Sequence, residues 1–352
     1  MRICGWVGEI FGVMTTLTSP HDLLAAIPFL IGYHPTDSLV LVSLKNESVG
    51  MAMRIDYPPA IQKDSNYEPY DRLIAYLVNE GADGALVIAY APHDRSDGPE
   101  ILDSIATALN RVEIQVREAL VVCAGRWRSL LCGDINCCPP KGRALPDIQS
   151  SRVAVEQVAH GHPMPFIDRE DLADSIAALP LASEKSFIEQ VTNHSVDPDS
   201  AGIHSAQREG ALSVIDLASR FIAGTLGADI ASDQRASARV LGALTDIQVR
   251  DFALGSHDEV TIELYFSMWR YLIRIAPEGF IAPVACLLGA VAYEKGAGAI
   301  AQQALDRALI DQPGYSLATL LRRVFSAGWP PESFSAMRKD LHPKVCAAIF
   351  EN

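Results

Sequence analysis

No stretch of this 352-residue chain reaches the roughly 18 to 20 consecutive apolar residues of a membrane span. Glu9 interrupts the apolar N-terminus, and no small-residue cleavage site follows it. The expectation is a cytoplasmic protein that meets no membrane. Positive charge is also scarce, with 29 Lys and Arg against 43 Asp and Glu and a net charge of −14. Residues 201–352 hold 14 Lys and Arg against 16 Asp and Glu, which leaves −12 of the −14 to residues 1–200. Such a surface repels a phosphate backbone, so nucleic acid is excluded as a partner. A glycine-rich phosphate loop is missing as well. Gly81-Ala82-Asp83-Gly84 precedes a strand, the wrong context for either nucleotide fingerprint. There is no C-x2-C knuckle, and no catalytic motif names a reaction or a cofactor.

Apolar material is plentiful, at 49% hydrophobic residues, enough for two packed cores at this length. The local signals predict an α/β domain followed by an all-α domain. Ser19-Pro20-His21-Asp22 opens a helix, with Ser19 as cap, proline at the first helical position and Gly32 as the stop. Pro28 is expected to kink or shorten it. Apolar runs at 38–44, 51–55, 85–90, 119–123 and 127–132 read as strands, with helical patterns over 73–78 and 99–111. Strand, helix, strand, helix, strand implies co-directional strands with crossover helices, giving a small mixed sheet with a parallel centre and a hairpin strand at each end.

From about residue 150 the period is helical throughout, and residues 206–352 read as six or seven helices. The linker composition of 196–202 places the domain boundary after residue 200. Residues 14–200 then form the α/β domain with trailing helices, and 201–352 the helical domain. Residues 1–13 carry no strong period and are expected to be a non-native or unstructured extension, with Met14 as an alternative start. Leu288-Gly289, Ala292, Gly296, Ala301, Leu305, Ala308 and Pro313 fall on the spacing of one tetratricopeptide-type hairpin, about 282–315. Trp269 with Phe266, Met268 and Tyr271 reads as core.

The stretch from Leu17 through Pro28, continued by Gly32-Tyr33-His34-Pro35-Thr36-Asp37-Ser38, resembles the opening of the actinobacterial domain-of-unknown-function family 4192 (DUF4192). Arg54-Ile55-Asp56, Gly125-Arg126-Trp127, Cys132 with Cys137-Cys138-Pro139 and Gly142, and the later Trp269, Pro277 and Gly289 to Gly298 are similar in order and spacing. The resemblance covers most of 14–330 and implies an intracellular protein, with no activity to carry over.

Ligands of an open α/β sheet bind outside the carboxyl ends of its strands. That rule selects His93, Asp94 and Asp56 as candidate catalytic groups, with His93 as base and a carboxylate as its orienter or a metal ligand. His34, Asp37, Ser38, Arg54 and Arg126 are the candidate ligand-binding groups, Arg126 anchoring an anion. The simpler reading of the same residues is that Asp37 and Ser38 cap turns, Arg54 or Arg126 pairs with Asp56, and the loop acids are solvated. Cys132, Cys137 and Cys138 gather three thiols within seven residues. They read as small residues in a tight loop, as a redox pair, or as metal ligands needing a fourth from Cys123, His160 or His162. His160-Gly161-His162 otherwise reads as a helix end. Two functions fit. One is a binding or adaptor protein holding a protein or peptide through its helical domain. The other is an enzyme acting on a small polar metabolite at the sheet's carboxyl edge.

Overall fold

The computed structural model describes residues 6–10, 13–59, 70–180, 184–222 and 230–351. It divides into two compact units, Met1–Leu172 and Ala173–Asn352. The division lies well before the linker-like 196–202. A helix over Lys185–Asn193 buries Phe187 and Val191 and packs on a helix of the second unit, so it leaves the α/β domain to which linker composition would assign it.

The first unit carries β1 (Trp6–Ile10), β2 (Val13–Leu17), α1 (Pro20–Ile31), β3 (Ser38–Lys45), β4 (Ser48–Asp56), α2 (Asp71–Glu80), β5 (Gly84–Tyr90), α3 (Gly98–Arg111), β6 (Gln115–Cys123), β7 (Arg126–Ser129), β8 (Arg143–Ala144) and α4 (Arg152–Ala159). The strands form one mixed sheet in the order β2-β1-β4-β3-β5-β6-β7-β8. Strands β4, β5 and β6 are co-directional, as their crossovers require.

The neighbour relations differ from expectation in one respect. Strand β3 lies between β4 and β5, antiparallel to both, so the central parallel pair is β5–β6. The physical reason is in its composition: every residue from Ser38 to Leu44 is buried, and a strand apolar on both faces belongs at a sheet's centre. Val40, Val42 and Leu44 face a core shared with α1 and α4, whereas Leu39 and Leu41 join Leu77, Ile101 and Ile105 of α2 and α3.

The N-terminus also differs. Of residues 1–13, the described ones are strand and not an extension. Trp6 sits opposite Leu17 in an antiparallel hairpin, and Val7 sits opposite Ser48 in parallel pairing. The hairpin covers the edge of β4 that β3 leaves open. Ser19 caps α1 by accepting from the Asp22 N–H at 3.2 Å, while the Asp22 carboxylate reaches back to the Thr18 N–H at 2.9 Å. The helix runs past Pro28 to Ile31, and the Gly32 N–H closes it on the Pro28 carbonyl. Strand β7 stops at Ser129, earlier than its apolar run suggests.

The second unit contains α6 (Lys185–Asn193), α7 (Ile203–Ile222), α8 (Ile230–Ala243), α9 (Ile247–Gly255), α10 (Ile262–Ile275), α11 (Ile281–Glu294), α12 (Gly298–Asp311), α13 (Ser316–Ser326) and α14 (Pro331–Phe350); α5 (Arg169–Asp174) spans the division. Its core centres on Trp269, fully buried, and on α11, which buries every residue from Ala282 to Ala292. Complete burial of Leu287, Leu288 and Val291 stabilises the unit by roughly 1.5–3 kcal/mol each. Helices α11 and α12 form a tight hairpin. A Cβ added at Gly289 would meet Leu305 at 3.3 Å and the Ala301 carbonyl at 3.5 Å, and Gly296 turns the chain at φ +77°.

Candidate functional site

Strand register brings the carboxyl-edge residues to one end of the sheet. Ser38, at the start of β3, lies opposite Asp56 at the end of β4 and opposite Tyr90 at the end of β5, while Arg126 pairs with Cys123 at the end of β6. The side chains nevertheless do not assemble around His93. His93 and Asp94 are exposed in the turn after β5, and His93 forms no hydrogen bond with another described residue. Asp56 is 77% exposed, ion-paired to Arg54 and 3.9 Å from Arg169. Asp37 is exposed at φ +42°, its carbonyl taking the Tyr57 N–H at 2.8 Å. The Ser38 hydroxyl is buried with no hydrogen-bond partner among the described residues. His34 is half-buried, and burial alone holds its pKa below the ordinary imidazole value. Arg126 turns away from the edge and donates to the carbonyls of Lys141 and Gly142 at 2.7 Å each.

One polar contact at this edge joins residues 40 positions apart. The Tyr57 hydroxyl donates to Asp97 at 3.1 Å, and Arg95 both donates to Asp97 Oδ1 at 3.1 Å and lies over the Tyr57 ring at 5.2 Å. Arg95 holds the Asp97 carboxyl below its usual range, against the opposing effect of burial. Burial, then the Asp97 carboxylate, raises the Tyr57 phenol. The helix beginning near Pro99 was legible, but the long-range pairing of Asp97 with Tyr57 was not.

The cysteine loop converges. The Sγ atoms of Cys132, Cys137 and Cys138 all lie within 4.8 Å of one another, each residue half-buried. The loop leaves β7 at Ser129, whose backbone N–H bonds to Cys138, so the thiols lie at the end of β7 away from Arg126. Burial pushes the Cys138 thiol up to about 11, the Ser129 N–H acting against it and Cys132 and Cys137 with it. None of the fourth ligands considered from sequence joins the three. Cys123 lies at the carboxyl edge against the Pro92 carbonyl, and His160 Nδ1 sits 2.7 Å from the Glu156 carbonyl at the end of α4.

The helical unit contains a cleft of about 580 Å³ between the C-terminus of α6 and the flanks of α7 and α8. Close packing of these helices depends on two glycines. A Cβ at Gly242 would meet the backbone of Val191 and, at 2.7 Å, the carbonyl carbon of His194; one at Gly210 would lie 2.9 Å from Ala243. Val196, Leu212 and Ala243 give the cleft its apolar lining, and His194, Arg239 and Glu209 its polar groups. Burial and then the nearby Arg239 charge hold His194 below the ordinary imidazole value. No motif marked these residues, because the cleft is assembled from three helices.

A family model described as "Domain of unknown function (DUF4192)" matches residues 20–332, most of the chain, which therefore belongs to that family. No curated protein and no solved structure matches it.

Proposed function

We propose that this member of the DUF4192 family is a binding protein, and that its helical unit takes a short polypeptide segment carrying a carboxylate beside an apolar side chain. The observation that carries this reading is the cleft between α6, α7 and α8. Its volume of about 580 Å³ is within the usual range for ligand sites. Leu212 is 49% exposed on its rim, so apolar area stands uncovered where a side chain of a partner would remove it from water. Arg239 and His194 on the same rim supply donors for a carboxylate, and a guanidinium suits that group best because it donates two parallel bonds. The α11–α12 hairpin is then one tetratricopeptide-like unit that packs the domain. The free thiols at all six described cysteines fit a reducing compartment, the cytoplasm.

The carboxyl edge supports a catalytic reading less well. A general base needs a partner within hydrogen-bond reach of the group it serves, and His93 stands in solvent apart from Asp56 and Arg126.

The test is selection of phage-displayed random peptides on the full-length chain. Enriched peptides are expected to place Asp or Glu next to a large apolar residue. A synthetic peptide of that sequence should bind at least about tenfold more weakly to Arg239→Glu and to Leu212→Glu, a loss near 1.4 kcal/mol. Both positions are exposed, so the fold tolerates the changes. A selection that enriches nothing, or peptides that bind both variants as well as the parent, would sink the reading.

A further inference from the structure

We propose that Cys132, Cys137 and Cys138 form a thiolate site for one zinc ion, with the fourth coordination position open to solvent. The first ground is convergence. The three Sγ atoms lie within 4.8 Å of one another, although four residues separate Cys132 from Cys137. Three thiolates at about 2.3 Å from a common tetrahedral centre require a sulfur triangle of this scale.

The second ground is that the loop is held in this shape by groups other than the thiols. The Cys138 N–H donates to the Asp134 carbonyl at 2.7 Å, and Asp134 Oδ1 accepts the Asn136 N–H at 2.9 Å, closing the turn between the first and second ligands. The Arg143 guanidinium donates to the carbonyls of Asn136, at 2.8 Å, and Cys137. Arg126 clasps Lys141 and Gly142 further along. Gly142, at φ +69°, lies so close to β7 that a Cβ there would sit 2.7 Å from the Trp127 carbonyl. The site is thus preorganised before any ion enters, and little chain entropy remains to be lost on binding.

The third ground is charge and exposure. Zn²⁺ with three thiolates carries a net −1, and the loop already has two guanidinium groups hydrogen-bonded to its backbone. Cys138 also packs against the core of the first unit, which does not account for Cys132 and Cys137 beside it, and all three thiols are half-exposed, where they are open to oxidation. Among the described residues no fourth His, Cys, Asp or Glu joins the group. Because the three cysteines are half-exposed, water can fill the remaining position, as it does where zinc keeps three protein ligands. Binding converts three S–H groups to thiolates and releases their protons to solvent: Zn²⁺ plus three thiols gives one tris-thiolate zinc and three protons.

The test uses the full-length chain, reduced and freed of metal under anaerobic conditions, then titrated with Zn²⁺ against a chromogenic chelator. The expected result is one ion per chain, with proton release at the same equivalence point. Mapping of alkylated peptides should show Cys132, Cys137 and Cys138 protected by zinc, and Cys123 and Cys346 not. Cys132→Ser, Cys137→Ser and Cys138→Ser should each lower affinity at least about a hundredfold, while Cys346→Ser leaves it unchanged. Should a serine variant fail to fold, the protection pattern of the parent chain decides alone. Substoichiometric binding by the folded parent, or equal alkylation of the three cysteines with and without Zn²⁺, overturns the proposal.

Discussion

The carboxylate of Asp311, at the end of α12, accepts the backbone N–H of Ala282 in the first turn of α11 at 2.9 Å. It also takes the N–H groups of Gly279 and Ile281, at 2.6 and 3.1 Å. Helix α11 has no cap from its own N-cap residue, Phe280, so its orphan amides are satisfied from the far end of the hairpin. One side chain thereby closes the hairpin and places negative charge at a helix N-terminus. Asp311→Ala should destabilise the helical unit by about 1–2 kcal/mol, and Asp311→Asn, which keeps one acceptor, by roughly half that. Urea titration followed by circular dichroism measures both. Equal losses for the two variants would show that the charge, and not the acceptor, matters.

Gly242 lets α8 reach the last turn of α6, where a Cβ would meet main-chain atoms of Val191 and His194 that have no rotamer to change. Gly242→Ala should therefore cost about 1–3 kcal/mol. Gly298→Ala, with open space around its Cβ at the start of α12, should be neutral or stabilise by up to about 1 kcal/mol. Thermal melts of the two variants give opposite signs if close packing, not helix propensity, governs position 242.

Features fixed by local chemistry were legible in the sequence: the Ser19 cap, the Gly32 stop, the β3–β4 hairpin and the common direction of β4, β5 and β6. Lateral order was not. A crossover helix dictates the direction of the next strand but not which strand lies beside it, and only the unbroken burial of Ser38–Leu44 shows why β3 is central. The candidate sites divide in the same way. The cysteine loop spans seven residues, and its local spacing was visible. Tyr57 with Asp97, and His194 with Arg239, join positions about 40 residues apart, which no periodicity connects.

Arg338 and Glu294, 44 residues apart, form a buried two-point ion pair, Nε to Oε1 at 2.7 Å and the second guanidinium nitrogen to Oε2 at 3.2 Å. Arg338 also donates from one terminal nitrogen to the carbonyls of Gly255 and His257 at 3.0 Å each, so four of its five N–H groups have acceptors among the described residues. Burial opposes ionisation of Glu294, but the hydrogen bonds and charges of His257 and Arg338 win and hold its pKa below the usual carboxylate value. Glu294→Gln leaves the buried Arg338 charge uncompensated, and Arg338→Met leaves Glu294 with His257 alone. Glu294→Gln and Arg338→Met should each cost about 3–5 kcal/mol, and replacing both by apolar residues should cost less than the two losses combined. A double-mutant cycle by chemical denaturation checks the coupling, and strictly additive losses would remove it.

His342 points against Gly255, where a Cβ would collide with its ring, and its Nε2 lies 3.4 Å from the Cys346 sulfur. Burial first, then the charges of Arg338 and His257, holds its pKa below the ordinary imidazole value. The sign follows. An imidazole that is harder to protonate in the folded chain lets the unfolded chain bind more protons below its own pKa near 6.5, so the stability present above about pH 6.5 is lost as pH falls toward the folded value. His34 and His194 are shifted in the same direction by burial and add to the slope. Glu294 acts lower, in the carboxylate range, and Glu118, whose carboxyl burial raises above its usual value, opposes the imidazoles at the acid end, so the three imidazoles set the sign between about pH 7 and pH 5. Each can contribute at most about 1.4 kcal/mol per pH unit. The free energy of unfolding should therefore decrease from pH 7 to pH 5, and His342→Gln, whatever its cost at pH 7.5, should show a shallower decline. Urea titrations at half-unit pH intervals measure the slopes. A His342→Gln variant that parallels the parent across the window would mean that Arg338 and the surrounding helices do not disfavour the imidazolium at this position.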